Sequence, residues 1–343
     1  MKNSITYVAM DTHKKEHKVA LHYPGDEQVV QFAIKNTARD IKKMVNKVKK
    51  QAPADIEFCY EAGVCGFTLK RRIEALGCKC MVIAPSLTPI KPGDHVKTDR
   101  RDARQLLAMF KAGLLTEVHA PDPEQESARE LTRCRQTAQE NLTRIRHQIL
   151  KFLVRHGYVY RDGNHWTLKH FRWLRSLEFD LLSLRDVFDS YFTEMQHCLQ
   201  RLDSLDKEVL KLSESKPYKK IVGLLRCFHG IDTLSAITMI TEIFEFGRFS
   251  TPGELMSYLG LTCSEDSSGQ KERKGSTTKA GNKRVRRLLI EASWHYRHPY
   301  VATSSSLKQR RKEQPQWAIA RELAGFIWSV FNEYEIRNQE KAA

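Results

Sequence analysis

Long apolar runs are missing from this chain of 343 residues. No stretch approaches the roughly 20 apolar residues of a membrane-crossing helix, so a helical membrane protein is not expected. The opening "MKNSITYVAMDTHK" has too short an apolar segment for a signal peptide and no small-residue cleavage site, which points to a cytoplasmic protein. Cysteine pairs of metal-binding type are also missing. The eight cysteines are scattered, with no C-x-x-C, so a structural zinc site is not expected and the thiols read as reduced and mostly buried. Cys78 and Cys80 are expected on opposite faces of a strand. Acidic residues are in deficit, 41 against 57 Lys plus Arg, leaving a formal charge of +16. That surplus favours a polyanionic partner, nucleic acid before membrane surface. The length suffices for two or three domains with cores of their own.

What is present falls into three regions. Residues 1–122 alternate strand and helix character. "SITYVAMD", "HKVALHYP" and "QVVQFAI" read as a three-stranded meander, followed by a helix over "NTARDIKKMVNKVKKQ" capped by Asn36 or Thr37. "DIEFCYEA" and "CKCMVIAP" read as strands flanking a helix that ends at Gly77, which describes a mixed α/β sheet. Residues 123–215 read as entirely helical. From Leu177 through Leu184, Phe188, Tyr191, Met195, Cys198 and Leu202 to Leu212, apolar residues fall at alternating spacings of four and three, the rhythm of a coiled coil. Leu131, Ala138, Leu142, Ile145, Ile149 and Phe152 keep the same rhythm on an earlier helix, so the seam closes either within one chain or between copies of it. Residues 216–343 read as a second helical, basic unit. "GLLRCFHGIDTLSAITMITEI" has a helix-hairpin-helix rhythm, with Gly-Ile-Asp at 230–232 where Gly-Ile-Gly is usual. Such a turn can offer N–H groups to a phosphate, or be a plain packed hairpin. "TCSEDSSGQKERKGSTTKAGNKRVRRLLIEASW" then reads as a polar loop running straight into a helix.

The acids that remain in so basic a chain are informative. "HVKTDRRDARQLLAMF" sets Asp99 and Asp102 three residues apart at the start of a helix, among Arg100, Arg101 and Arg104. Helix capping is the ordinary reading, since carboxylates are favoured by the N–H groups and dipole there. The sharper reading is a divalent-metal site. Asp11 ends the first strand and Glu61 ends "EFCYE", and residues at strand ends of an α/β sheet project into the ligand crevice. Phosphoryl transfer by two metals needs three or four carboxylates around ions about 4 Å apart. Mg²⁺ takes hard oxygen donors and keeps its waters, so isolated acids from different elements suffice.

The order "AMDTHKKEH", "CYEAGVCGF", "VKTDRRDARQLL", a coiled-coil region, "HGIDTLSAITMITEI" and "YLGLTCSEDSSGQKERKGSTTKAGNKRVRRLLIEAS" resembles the IS110/IS1111 family of insertion-sequence transposases, the DEDD transposases related to the Piv DNA invertases. The resemblance spans about residues 5–335. It implies an RNase H-like (RuvC-like) N-terminal domain whose acidic tetrad falls on Asp11, Glu61, Asp99 and Asp102, with Mg²⁺ or Mn²⁺ as cofactor. It also implies central coiled-coil helices and a helical C-terminal transposase domain with a nucleophilic serine in "SSG". Partners implied are donor and target DNA, a structured guide RNA encoded by the element, and further copies of the chain in a dimer or tetramer. The setting implied is the bacterial cytoplasm, at the nucleoid.

Ser267 and Ser268 precede Gly269, and Ser-Ser-Gly is by itself ordinary turn sequence. With the resemblance, one of them, Ser268 by preference, becomes the attacker of a DNA phosphate. No histidine is near in sequence, so activation would fall to the carboxylates and metal of the first domain. Lys271, Arg273, Lys274, Lys279, Arg284, Arg286 and Arg287 surround the serines and continue into the next helix, the chemistry of a loop laid against phosphates. His13, His17 and His22 read as surface or core histidines, Trp294, Trp317 and Trp328 as core, and Tyr60 as strand core. A RuvC-type nuclease or junction resolvase without a covalent step, and a non-catalytic nucleic-acid-binding regulator, are the competing readings. Asn is itself a good helix cap. Asp99→Asn is therefore expected to keep the melting temperature near wild type and to abolish strand cleavage, and full cleavage by this variant would return the pair to capping.

Overall fold

Strand β1 (Thr6–Thr12) is covered on both faces, and its alternate residues go to two different cores. This computed structural model describes residues 5–53, 55–89, 99–265, 273–296 and 315–342. By its contacts the chain divides into Met1–Ala120 and Pro121–Ala343.

In the first unit β1 pairs antiparallel with β2 (Glu16–His22), which pairs antiparallel with β3 (Val30–Lys35). On its other side β1 pairs parallel with β4 (Ile56–Glu61), and β4 parallel with β5 (Lys79–Ile83), giving the order β3-β2-β1-β4-β5. A parallel pair needs a crossover, and α1 (Ala38–Gln51) supplies it between β3 and β4, as α2 (Thr68–Glu74) does between β4 and β5. Thr37 is the cap of α1, its hydroxyl accepting the Asp40 N–H at 3.1 Å. Val8, Met10, Val19, Leu21, Phe58 and Tyr60 face Ile41, Met44, Val45 and Val48 of α1, and Leu69 and Ile73 of α2. Cys78 and Cys80 both enter this same core, which corrects the expectation of opposite faces: side chains two residues apart on a strand share a face. The other face of the sheet carries Ala9, Ala20, Cys59 and Ile83, covered by Ala103, Leu106, Leu107 and Phe110 of α3 (Asp99–Lys111).

In the second unit α4 (Pro123–Arg155) and α6 (Leu182–Ser213) form a long helical hairpin. Asp122 and Gln125 close a capping box at the start of α4, Asp122 accepting the Gln125 N–H at 2.7 Å. Leu142, Ile145, Ile149 and Phe152 pack against Phe188, Met195 and Cys198, so this length of the apolar seam is filled from within the chain. Leu181, between Leu177 and Leu184 of the expected repeat, is exposed. The connector holds a further helix, α5 (Leu168–Arg175). Beyond the hairpin come α7 (Lys216–Leu225), α8 (Thr233–Ile243), α9 (Pro252–Tyr258), α10 (Lys283–His295) and α11 (Gln316–Ala342). Their shared core includes Leu225, Ile237, Ile240, Leu255, Leu289 and Phe331, and Val209 of α6 joins it. The polar stretch expected as a loop forms two short antiparallel strands, β6 (Cys263–Glu265) and β7 (Lys274–Thr277). Backbone pairing holds them, and so short a ribbon has no apolar alternation to announce it. Among the described residues no helix is long and apolar enough to cross a membrane.

The hairpin tip contains a buried histidine. His170 is inaccessible to solvent; its Nδ1 accepts the Trp166 N–H at 3.1 Å, and its ring lies 4.7 Å from that of Tyr160 and 5.5 Å from that of Trp173. Burial, aided by nearby His165, lowers its pKa to about 4. Neutral in the folded hairpin but titrating near pH 6.5 when unfolded, His170 favours folding fully above about pH 6.5. That contribution is lost as pH falls toward 4. Thermal stability is expected to decline across this window, with His170 contributing at most about 1.4 kcal/mol per pH unit. In His170→Asn, which keeps an acceptor, the decline measured by thermal denaturation should be shallower.

Candidate active site

The register of the parallel pair, Met10 opposite Tyr60, brings Asp11 beside Glu61 where β1 and β4 end. Ala9 and Cys59, two residues earlier, lie under α3, so the pleat turns both acids toward that same face. Asp11 is partly buried and its Oδ2 lies 3.2 Å from Nε2 of His13; Glu61 is exposed. Lys18 pairs with Asp11 across the antiparallel side and has Glu16 as its ion partner at 2.8 Å.

The direction of α3 decides where its acids go. Phe110 stacks edge-on against Tyr7, with ring centroids 5.2 Å apart, so the C-terminal end of α3 lies over the start of β1. The helix then climbs about 12 Å back to Asp102 at 1.5 Å per residue, while β1 runs about 13 Å from Tyr7 to Asp11. A helix running back along β1 from that contact reaches the level of Asp11 near Asp102. Asp102 is exposed there, with Arg101 and Arg104, in the first turns of the helix. Asp99 opens the helix, one turn before buried Ala103 and in the same helical row; the side chains of Asp99 and Arg100 lie outside the described residues. Among the described residues no three His, Cys, Asp or Glu side chains already converge to hold a metal ion.

In the second unit, Ser267, Ser268 and Lys271 lie outside the described residues, between the arms of the β6–β7 ribbon in sequence. The ribbon's base is tied down. Thr278 N–H donates to Thr262 O at 2.9 Å and Asn282 N–H to Tyr258 O at 3.1 Å. Gly260 and Gly281 both have left-handed backbones, and a Cβ on either would run into a carbonyl oxygen, of Ala280 and Tyr258 respectively.

That base is joined to the hairpin by a buried carboxylate. Glu242 of α8 is 3% exposed. It accepts Arg133 Nε and a terminal nitrogen at 2.7 and 2.9 Å, and Asn282 Nδ2 at 2.9 Å, with Arg284 Nε 3.9 Å away. Burial pushes its pKa up, but the Arg133 fork, Asn282 and Arg284 outweigh burial and hold it below the ordinary carboxylate range. Asn282 is also the N-cap of α10, its Oδ1 accepting from Arg284 and Val285 N–H. Sequence reasoning missed this hub, although an acid inside the apolar run "AITMITEIF" was the signal.

Comparison with known proteins decides the family. A transposase family model of the IS110 DEDD type matches residues 8–157, and the model described as "Transposase IS116/IS110/IS902 family" matches residues 222–305. The chain is 34% identical to the putative transposase y4qE of Sinorhizobium fredii, over 95% of this chain and 88% of that protein. It is 32% identical to the transposase for insertion sequence element IS1533 of Leptospira borgpetersenii, over 92% and 91%. The transposase for insertion sequence element IS1111A of Coxiella burnetii is 21% identical, over 77% and 74%. The chain belongs to the IS110 family of insertion-sequence transposases.

In this transposase the basic residues singled out in the sequence have different surroundings. Arg286 donates to Leu259 O and Ala280 O at 2.8 and 2.7 Å, which latches α10 to the ribbon base. Arg284 donates to Gln136 at 3.1 Å beside Glu242, whereas Arg287 is exposed and paired with Glu291 at 2.8 Å. Arg273 and Lys279 are exposed, and Lys274 opens β7 with its side chain outside the described residues. At the Gly-Ile-Asp turn, Asp232 Oδ1 accepts the Ser235 N–H at 2.7 Å, so the departure from Gly-Ile-Gly places a capping carboxylate of the chain itself at the start of α8.

Removing Glu242 would leave Arg133 charged and only partly accessible, with Asn282 short of an acceptor. Glu242→Ala is expected to cost about 3–5 kcal/mol, read from denaturant unfolding. Because the carboxylate's pKa is depressed, its contribution is present above the ordinary carboxylate range and lost as pH falls below it.

Proposed function

We propose that this transposase cuts and rejoins DNA through a metal-dependent carboxylate site on the sheet and a covalent serine–phosphate intermediate. One observation supports the carboxylate part: strand register sets Asp11 beside Glu61 at the ends of parallel strands, on the sheet face covered by the helix that bears Asp99 and Asp102. The order β3-β2-β1-β4-β5 supports the RNase H-like, RuvC-like reading of this unit. Asp11, Glu61, Asp99 and Asp102 offer hard oxygens only, a donor set that suits Mg²⁺ or Mn²⁺. A bound ion supplies Lewis acidity toward a phosphoryl oxygen and lowers the pKa of an oxygen nucleophile. Arg101 and Arg104, exposed in the same helical turns, bring the phosphodiester to the acids and offset its charge.

Ser268, or its neighbour Ser267, attacks phosphorus. An Oγ–P bond forms as one P–O ester bond breaks; the hydroxyl proton leaves to a base, and the departing sugar oxygen is protonated. The phosphoserine keeps the ester's energy, so a hydroxyl of another strand displaces serine and completes exchange without an outside energy source. Two glycines with no room for side chains and the Glu242–Asn282 tie hold the base of the ribbon, whose other end leads in sequence into the serine segment. The +16 charge supports a structured guide RNA as partner beside donor and target DNA. Dimer or tetramer assembly through a coiled coil of the long helices belongs to the same reading.

Asp11→Asn and Asp102→Asn are each expected to abolish strand cleavage with Mg²⁺ while DNA affinity holds or rises, because a negative charge near phosphate is removed. Cleavage at wild-type rate by Asp11→Asn would sink the carboxylate assignment. A covalent protein–DNA adduct should be trapped with wild type and vanish in the Ser267→Ala/Ser268→Ala double variant. Cleavage that persists there with no adduct would favour plain hydrolysis.

A further inference from the structure

Charge is segregated along α4. From Pro123 to Glu140 the helix mixes Glu124, Glu126, Glu130 and Glu140 with Arg129, Arg133 and Arg135. From Asn141 to Arg155 it carries Arg144, Arg146, Lys151 and Arg155 and no acid at all. The cations of the two halves are used differently. Arg133 and Arg135 are bound to Glu242 and Asp206 at 2.7 and 2.6 Å, and Arg146 lies over the Trp166 ring, 5.0 Å from its centroid. Arg144, Lys151 and Arg155 are exposed, and among the described residues none of them is in an ion pair with a carboxylate. Arg144 donates to the side-chain oxygen of Asn141, its one hydrogen bond among the described residues.

Spacing puts these three and His147 on one helical row, and the row lines a groove of about 590 Å³ closed on its other side by Tyr191 of α6. The groove shares Glu140 and Thr143 with a second one of about 460 Å³, which continues past Gln136 to the start of α8 and to Arg287 of α10. From Arg144 to Arg155 the row extends about 16 Å at 1.5 Å per residue. One strand of B-DNA places about five phosphates along that length, at 3.4 Å of axis each.

We propose that the Arg144–Lys151–Arg155 row is a dock for the backbone of duplex DNA, taking phosphates of one strand without reading bases. Unneutralised cations along one row match a polyanion, and phosphate contacts position a duplex without reading its sequence; Gln148, beside them in the groove, is uncharged. A second copy of the chain is the weaker occupant. A two-fold contact through this row would set it against itself, like charge on like, with no apolar anchor in the row. The proposal rests on the transposase acting on DNA and not on the serine or the metal, so it stands or falls separately from the chemistry above.

The test is fluorescence anisotropy with the full chain and a duplex of arbitrary sequence, in EDTA so that no cleavage intervenes. Wild type is compared with Arg144→Gln/Lys151→Gln/Arg155→Gln. Each phosphate contact contributes about 0.9 to the slope of log affinity against log salt, so the triple variant should lose about 2.7. Between about 50 and 200 mM salt, wild-type affinity should then fall about 40-fold more than the variant's. Lys151→Gln alone, the smallest change to an exposed position, should remove about 0.9 of slope and covers the case of a triple variant that fails to fold. An unchanged slope overturns the proposal. So does a loss confined to duplex RNA, or a change of oligomeric state by light scattering with DNA binding unaltered.

Discussion

The parallel pairing of β1 with β4 is the constraint on which the candidate active site depends. It sets Asp11 next to Glu61, although a helix-bearing crossover separates them in sequence. A slip of one residue on either strand would send one acid to the opposite face. Side-chain size on the two faces reinforces the register. Met10, Leu21, Phe58 and Tyr60 fill the side under α1 and α2, while Ala9, Ala20 and Cys59 leave a shallow surface on the other. A shallow surface lets α3 settle close to the sheet, and the Tyr7–Phe110 ring contact orients it. Asp11 and Glu61 thus share the sheet face that α3 covers, and Asp102, Arg101 and Arg104 are exposed in the first turns of that helix.

The helical unit solves a different problem, holding a polar ribbon and a long hairpin on one scaffold. Its device is a buried charge. Glu242 binds α4 through Arg133 and the start of α10 through Asn282, and its depressed pKa follows from those partners outweighing burial. Buried ion pairs recover much of their desolvation cost only when geometry and hydrogen bonding are complete, as they are around Glu242. The gain is positional: the same network locates the ribbon base and the first turn of α10. Arg286, bonded to two carbonyls, serves this scaffold, whereas Arg287 remains at the surface.

Much of the fold was legible in local pattern. The meander, the crossover helices and the long helices follow apolar spacing, and Thr37, Gly77 and Asp122 mark boundaries by their own chemistry. The ribbon was not legible, since β6 and β7 are too short for periodicity and exist through cross-strand bonds. Glu242 was not singled out either, because its partners come from residues 133, 282 and 284, far apart in sequence. The heptad rhythm marked the faces of α4 and α6 that pack, but an apolar seam is the same whether its partner is the next helix or another chain.

By itself, the sequence determined which residues could do chemistry: four acids in a basic chain, two serines before a glycine, and the order of motifs that marks the family. Residue type and order are local properties, and they survive without coordinates. Only the tertiary structure decided which of these residues share a face and which cations are already spent. Strand register aligned Asp11 with Glu61, α3 covered the face they share, and Glu242 engaged Arg133 while Arg144, Lys151 and Arg155 formed no ion pair among the described residues. Each of these is a relation between distant segments, fixed by packing and by the need to satisfy buried charge, and no local pattern encodes it.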